Sequence, residues 1–386
     1  MRLAIITTHP IQYYAPVFKL LHQQKRLEVK VFYTLGETGQ TPFDPGFNQN
    51  IRWDIPLLED YNFQFQKNTS KKPGSHTFWG IVNPNLVKEV EAWKADAVLI
   101  YGWAYHAHLK AIWHFKNKIP VYFRGDSILS DQKKSIKNSI KNIFLRWVYR
   151  HVDHAFYVGT HNKAYFKQYG LKENQLTFAP HAIDNERFNF TCIKEASALR
   201  MRFDLDNEQI LILFAGKLEP KKDPLLLLEA FARLQKSNVQ LLFTGNGILE
   251  KTLKTRTQEL KLDQQVYFLD FQNQTQMPAL YQACDLFCLP SKSETETWGL
   301  AVNEAMACNK AILVSDKVGC AIDLVNPGIN GAIFQAGNQE NLLKNLQLLT
   351  QSKQQLVDYG KASNEIIQDW SFLKMVKMMT NQILAS

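Results

Sequence analysis

Short apolar runs alternate with longer amphipathic stretches along the whole chain, and that rhythm predicts parallel βαβ units. In the first half the runs Leu3–Thr7, Val29–Tyr33, Val98–Tyr101, Val121–Arg124 and Ala155–Val158 read as strands. In the second half Ile210–Ala215, Val239–Thr244, Val266–Leu269, Leu286–Pro290 and Ala311–Ser315 do the same, with helical periodicity between them. The segment Asp184–Asp206 is polar with only a weak helical pattern, so it is the expected linker. An α/β chain of two doubly wound, Rossmann-like domains follows, residues 1–186 and 205–369, expected to face one another across a central cleft.

Composition sets limits on this picture. At 386 residues, 45% hydrophobic and 21% charged, the chain has material for two cores and lies far from disordered or fibrous compositions. No apolar run reaches the roughly 18 residues of a membrane-spanning helix. The opening run meets His9 and Pro10 before a signal-peptide core could form, so it reads as a buried strand. Cys192, Cys284, Cys288, Cys308 and Cys320 are odd in number and lack C-x-x-C spacing, which predicts reduced core thiols and a cytoplasmic setting. The formal charge of +9 is uneven: residues 1–190 hold 25 Lys/Arg against 15 Asp/Glu, and the remainder is close to neutral. An acidic partner would therefore meet the N-terminal half, and no nucleic-acid motif accompanies the charge.

Ligands of open α/β sheets bind at the carboxyl ends of strands, so polar residues after strands are the candidates. After the run ending at Pro290, the stretch Ser291–Trp298 is a polar loop and an apolar helix begins near Gly299. The first N–H groups of that helix, at Gly299, Leu300 and Ala301, suit a phosphate. Glu304 is a lone carboxylate in an apolar helix and needs a partner there, either a sugar hydroxyl or a neighbouring backbone group. Glu296, eight positions earlier, reaches the same ligand or is a solvated loop residue. After Ile210–Ala215, Gly216-Lys217-Leu218 and Lys222 offer positive charge to a departing diphosphate, or are solvated lysines. Gly245-Asn246-Gly247 makes a turn that admits a ligand to the backbone, or is an ordinary βα turn.

These residues resemble a known set. Glu296 and Glu304 around Trp298-Gly299-Leu300 resemble the E-x7-E signature of retaining GT-B glycosyltransferases of the large family-four group. Gly216-Lys217-Leu218 with Lys222 is similar to that family's phosphate-binding G-[RK]-L-x-x-x-K, and Pro180–Phe188 to its P-N-G-V-D-x-x-x-F segment. Phe268-Leu269-Asp270-Phe271 resembles its F-L-G-F stretch beside the nucleotide base. The resemblance spans about half of the chain. It implies a GT-B fold, with Glu304 on the nucleotide ribose, Glu296 and the Gly299–Leu300 backbone on the donor sugar, and Lys217 and Lys222 on the diphosphate. It implies Phe271 beside the base, and a final helix near Phe372–Leu384 that packs on the N-terminal domain, so that 370–386 joins it.

The chain departs from the family at several points. Lys217 stands where arginine is commoner, Asp223 and Asp270 replace glycines, and Asn309 and Ala311 replace the usual G-x-P. His9-Pro10-Ile11-Gln12-Tyr13-Tyr14 replaces a Gly-rich loop after the first strand, and Arg124-Gly125-Asp126 stands at the family's histidine. His9, Arg124 and Asp126 are thus the acceptor-side candidates. Asp204-Leu205-Asp206 matches a metal-binding D-x-D but precedes a strand, so it reads as linker; neither metal nor cofactor is expected.

Within Lys133–Arg150, Ile136, Ile140, Ile143, Trp147 and Val148 gather near one helix face, with Lys133, Lys134, Lys137 and Lys141 on others. Such a helix suits an anionic membrane surface or a solvated domain face. The expectation is a hexosyl-type glycosyltransferase acting from a nucleotide-sugar on a hydroxyl of a glycan or lipid-linked acceptor, in polysaccharide or cell-envelope synthesis, peripheral on the inner face of the plasma membrane. The rivals are a GT-B sugar-nucleotide epimerase and a catalytically silent membrane scaffold.

Overall fold

The computed structural model describes residues 1–37, 43–44, 49–50, 52–129 and 136–385. The chain divides into two compact units. One comprises Met1–Pro42, Ile55–His181 and Phe372–Ser386, the other Phe43–Asp54 and Ala182–Ser371.

The strands of the first unit are β1 (Arg2–Thr7), β2 (Glu28–Tyr33), β3 (Asn62–Phe65), β4 (Ala97–Tyr101), β5 (Val121–Arg124), β6 (His154–Tyr157) and β7 (Leu176–Phe178). They form one sheet in the order β3-β2-β1-β4-β5-β6-β7, every neighbour parallel. The second unit carries β8 (Ile210–Ala215), β9 (Val239–Thr244), β10 (Val266–Leu269), β11 (Leu286–Leu289), β12 (Ala311–Ser315) and β13 (Gly331–Phe334). Their order is β10-β9-β8-β11-β12-β13, again all parallel. All residues of β4, β8, β11 and β12 are buried. Helices cover both faces of such strands, so none has a solvated side, and their sequences run apolar rather than alternating.

In each sheet the winding reverses beside the first strand, between β1 and β4 and between β8 and β11. Those reversals are the switch points at which open α/β sheets bind ligands.

Within the two large sheets three strands had no clear signal in the sequence, β3, β7 and β13, and neither had the two-residue antiparallel pair Phe43–Asp44 and Gln49–Asn50. All three are edge strands of three or four residues, only partly buried, so they lack the continuous apolar run of a central strand. The segment expected as linker carries two helices. Residues 185–189 and 193–202 are helical, and the second helix packs on Met277–Ala283 within the second unit. Arg200 anchors it, donating from Nη1 to the Ala283 carbonyl at 3.0 Å and from Nη2 to the Asp206 carbonyl at 2.6 Å. The final helix, Phe372–Ala385, packs on the helix Ala15–Gln23 and on β7 of the first unit.

The basic amphipathic segment forms a helix over Ile136–Tyr149. Leu145, Val148 and Tyr149 are buried against the first unit, whereas Ile140, Ile143, Phe144 and Trp147 are exposed, Ile143 to 71%. Val148 thus parts company with Ile140, Ile143 and Trp147, which were grouped with it, and the side chain of Ile136 lies outside the described residues. Lys141 is exposed, while Lys133, Lys134 and the side chain of Lys137 lie outside the described residues. No described helix is long and apolar enough to cross a membrane.

Candidate functional site

The loop after β8 and the loop after β11 meet at the switch point of the second sheet. Gly216 takes φ +151° at the end of β8, and a Cβ there would stand 3.3 Å from the methylenes of Lys222. Glycine thus lets the lysine fold back over the strand end. Lys222 Nζ donates to Glu296 Oε2 at 2.6 Å, with both side chains largely buried. Ser291 Oγ, fully buried, donates to the same oxygen at 3.2 Å. The two loops are tied by Lys292 N–H donating to the Lys221 carbonyl at 2.9 Å and by Lys292 Nζ on Asp223 at 3.2 Å. Asp223, one of the expected glycines, adopts the left-handed conformation at φ +49°, which a short polar side chain tolerates best after glycine. Asn309 does likewise at φ +59°. Lys217 is partly buried in the same loop.

The helix Leu300–Ala307 starts at Gly299, whose φ is +93°. A Cβ at Gly299 would stand 2.9 Å from Val318 Cγ1, so glycine is required both by backbone and by space. At Gly319 a Cβ would collide with the Thr297 carbonyl oxygen, at 1.9 Å, and the Gly319 N–H donates to the Glu296 carbonyl at 3.0 Å. The loop after β12 therefore braces the turn that carries Glu296. Trp298, 3% exposed, donates from Nε1 to Asn303 at 2.9 Å and packs on Trp370.

Glu304 is 4% exposed. The Tyr281 hydroxyl donates to its Oε2 at 2.8 Å. The carboxylate is therefore held from the neighbouring helix Met277–Ala283.

Gly245 and Phe271 follow β9 and β10. Asn246 connects their loops, accepting from Phe271 N–H at 2.7 Å and donating to Asp270 at 3.1 Å. Gly247 has a packing reason: a Cβ there would lie 2.4 Å from the Leu218 carbonyl oxygen. Tyr281 was not singled out from sequence, since its partner lies 23 positions away on another helix; nor was Ser291, a small polar residue of a polar loop that gives no sign of reaching Glu296 five positions on.

In the first unit, Arg124 ends β5 and is buried, its guanidinium donating to the carbonyls of Ala179 at 2.8 Å and Pro180 at 3.1 Å. It clamps the chain leaving β7. His9, after β1, has its Nδ1 3.0 Å from the Thr8 hydroxyl, and burial lowers its pKa to about 4. Asp126 is partly exposed and acts on His181, whose pKa burial and Arg124 lower to about 4 against the pull of Asp126. Tyr14 stacks on His181 at 6.2 Å. The structure thus groups Arg124 and Asp126 with Tyr14 and His181. Among the described residues no cluster of three or more His, Cys, Asp or Glu could hold a metal ion.

Residues 197–365 match the family model described as glycosyl transferases group 1. The D-inositol 3-phosphate glycosyltransferase of Mycolicibacterium smegmatis is 32% identical over 139 residues, 35% of this chain and 31% of that protein. The lipopolysaccharide 1,2-N-acetylglucosaminetransferase of Salmonella typhimurium is 27% identical over 195 residues, 48% of this chain and 51% of that protein. The chain thus spans between about a third and about half of the length of these relatives. Among solved structures, Anabaena Alr3699/HepE in complex with UDP matches with a TM-score of 0.76 and 18% identity, covering 100% of both chains. That likeness establishes the fold, a pair of Rossmann-like domains of the GT-B type.

Proposed function

We propose, on the premise that this chain belongs to the glycosyl transferases group 1 family, that it moves a sugar from a nucleotide-diphospho-sugar to a hydroxyl of a glycan or lipid-linked acceptor. The observation that carries this reading is the Lys222–Glu296 pair, 2.6 Å apart and largely buried beside the reversal of the second sheet. In this pair each group neutralises the other. A diphosphate competes for Lys222 and frees Glu296 for hydroxyls of the donor sugar.

Lys217 supplies a second cation, and the N–H groups of Gly299, Leu300 and Ala301 supply the partial positive charge of a helix start. As the glycosidic bond breaks, negative charge grows on the departing diphosphate, and cations already in place stabilise it without reorganising. Glu304 holds the ribose, with Gly216, Gly245 and Phe271 shaping the nucleotide's surroundings. Retention of configuration and action without a metal belong to the same proposal. The acceptor is assigned to the first unit, near His9, Arg124 and Asp126.

The exposed Ile140, Ile143, Phe144 and Trp147, with Lys141 on the same helix, support work on an anionic membrane surface at the cytoplasmic side. Nucleotide release from UDP-, GDP- and ADP-sugars tests the reaction. Turnover of at least one donor is expected from the wild type and not from a Lys217→Ala/Lys222→Ala variant. Wild-type inertness toward every donor, with and without added glycans, would sink it.

A further inference from the structure

We propose that Tyr281 is the positioning residue of the donor site: its hydroxyl fixes the Glu304 carboxylate in the one orientation that receives a vicinal diol. The inference rests on the reading of Glu304 as the ribose-binding group. It begins from a pairing that the sequence does not advertise. Tyr281 and Glu304 lie 23 positions apart on two different helices, Met277–Ala283 and Leu300–Ala307, and both are buried.

The tyrosine ring cannot shift easily. It is 0% exposed and held edge-on by Phe188 at 5.9 Å and Phe287 at 5.8 Å. Its hydroxyl is accordingly a fixed donor, 2.8 Å from Glu304 Oε2. A glutamate has three side-chain torsions, and a carboxylate offers about four lone-pair sites. With Oε2 anchored, the plane of the carboxylate is set before ligand arrives. The cis 2′- and 3′-hydroxyls of a ribose then meet acceptors at a fixed spacing, and no rotamer freedom is lost on binding.

A neighbouring bond sharpens the point. Asn303, adjacent in sequence and 0% exposed, accepts from Trp298 Nε1 at 2.9 Å. Two successive polar side chains of this helix are thus each held by an aromatic donor, although a helix packed solely for stability would carry apolar residues at such positions. Tyr281 itself need not touch the nucleotide. Packing alone would be served as well by phenylalanine, so the hydroxyl is the informative atom.

The experiment compares UDP with 2′,3′-dideoxy-UDP by calorimetry on the full chain, using ADP or GDP and their dideoxy forms if one of these binds the wild type more tightly. The wild type is expected to prefer the ribonucleotide. Tyr281→Phe, which keeps the ring and its packing, is expected to weaken ribonucleotide binding about tenfold and to leave the dideoxynucleotide unchanged. Equal weakening of both, or weakening of neither, would show that Tyr281 only packs. Glu304→Gln separates the two possible failures. If it removes the preference while Tyr281→Phe keeps it, the ribose site stands and the role of Tyr281 falls. If the wild type has no preference, or Glu304→Gln does not alter it, the ribose assignment itself is wrong and the inference falls with it.

Discussion

Lys222 Nζ sits 2.6 Å from Glu296 Oε2, with side-chain exposures of 13% and 11%. Taking both charges out of water is costly, and their attraction with the Ser291 hydroxyl roughly offsets that cost. Removing one partner strands the other.

Lys222→Ala is therefore expected to lower stability by about 3 kcal/mol or more and to abolish turnover. A combined Lys222→Met/Glu296→Leu variant should recover most of that stability while remaining inactive. Urea unfolding beside a donor-hydrolysis assay checks both statements. A double variant no more stable than Lys222→Ala would mean that the pair does not behave as a unit.

Glu304→Gln is nearly isosteric but replaces a charge-assisted acceptor by a neutral amide. Donor affinity should fall by roughly 1.5 to 3 kcal/mol with the fold intact. Unchanged affinity in calorimetry removes Glu304 from the donor site.

Gly299 is the residue at which sequence and space agree most closely. With φ +93° and Val318 Cγ1 2.9 Å from the site of a Cβ, Gly299→Ala must strain the backbone and push the helix start aside. A loss of about 1 to 2 kcal/mol is expected from the left-handed conformation alone. Because the same N–H groups are assigned to the diphosphate, affinity for a nucleoside diphosphate should fall more than affinity for the nucleoside. Equal losses for the two would place the diphosphate elsewhere.

Acid should act on the first unit before the second. Burial lowers the pKa of His9, His108, His154 and His181 to about 4, and all four lie in the first unit. The unfolded chain binds their protons from about pH 6.5 downward and the folded unit does not. Their neutral forms thus favour folding above pH 6.5, and that advantage is lost as pH falls from 6.5 toward 4. Hydrogen exchange between pH 7 and 4.5 should show amides of the first sheet losing protection ahead of those of the second. His108→Gln, which removes the histidine held between Thr34 and the Tyr101 carbonyl, should flatten that dependence. Equal acid sensitivity of both units would refute this account.

The basic helix gives a prediction of a different kind. Replacing Lys133, Lys134, Lys137 and Lys141 by glutamine should abolish sedimentation with anionic vesicles, each lysine near the surface contributing roughly 1 kcal/mol. Donor binding should not change. Ile143→Glu/Trp147→Glu should also release the protein, at any salt concentration, because these exposed side chains bind through apolar contact. If wild type fails to sediment, a soluble acceptor becomes the better assignment.

The sequence by itself determined the central strands and the chemistry of the loops that follow them. Strands such as Ile210–Ala215 are buried on both faces, so burial writes a continuous apolar run that is visible without coordinates. Gly299 was legible for a related reason: a left-handed turn at a helix start admits almost no other residue. The edge strands Asn62–Phe65, Leu176–Phe178 and Gly331–Phe334 were not legible, because each is only three or four residues long and only partly buried, so no continuous apolar run marks it. Nor was the segment 185–202: its first helix is tied to Gln274 by Arg187, and its second is held by Arg200 reaching a carbonyl 83 positions away. What tertiary structure alone decided is who holds whom. Glu296 is paired with Lys222 across 74 positions, and Glu304 with Tyr281 across 23. A hydrogen bond requires its atoms to meet within about 3 Å, and only the folding of distant strands and helices onto one another sets that distance.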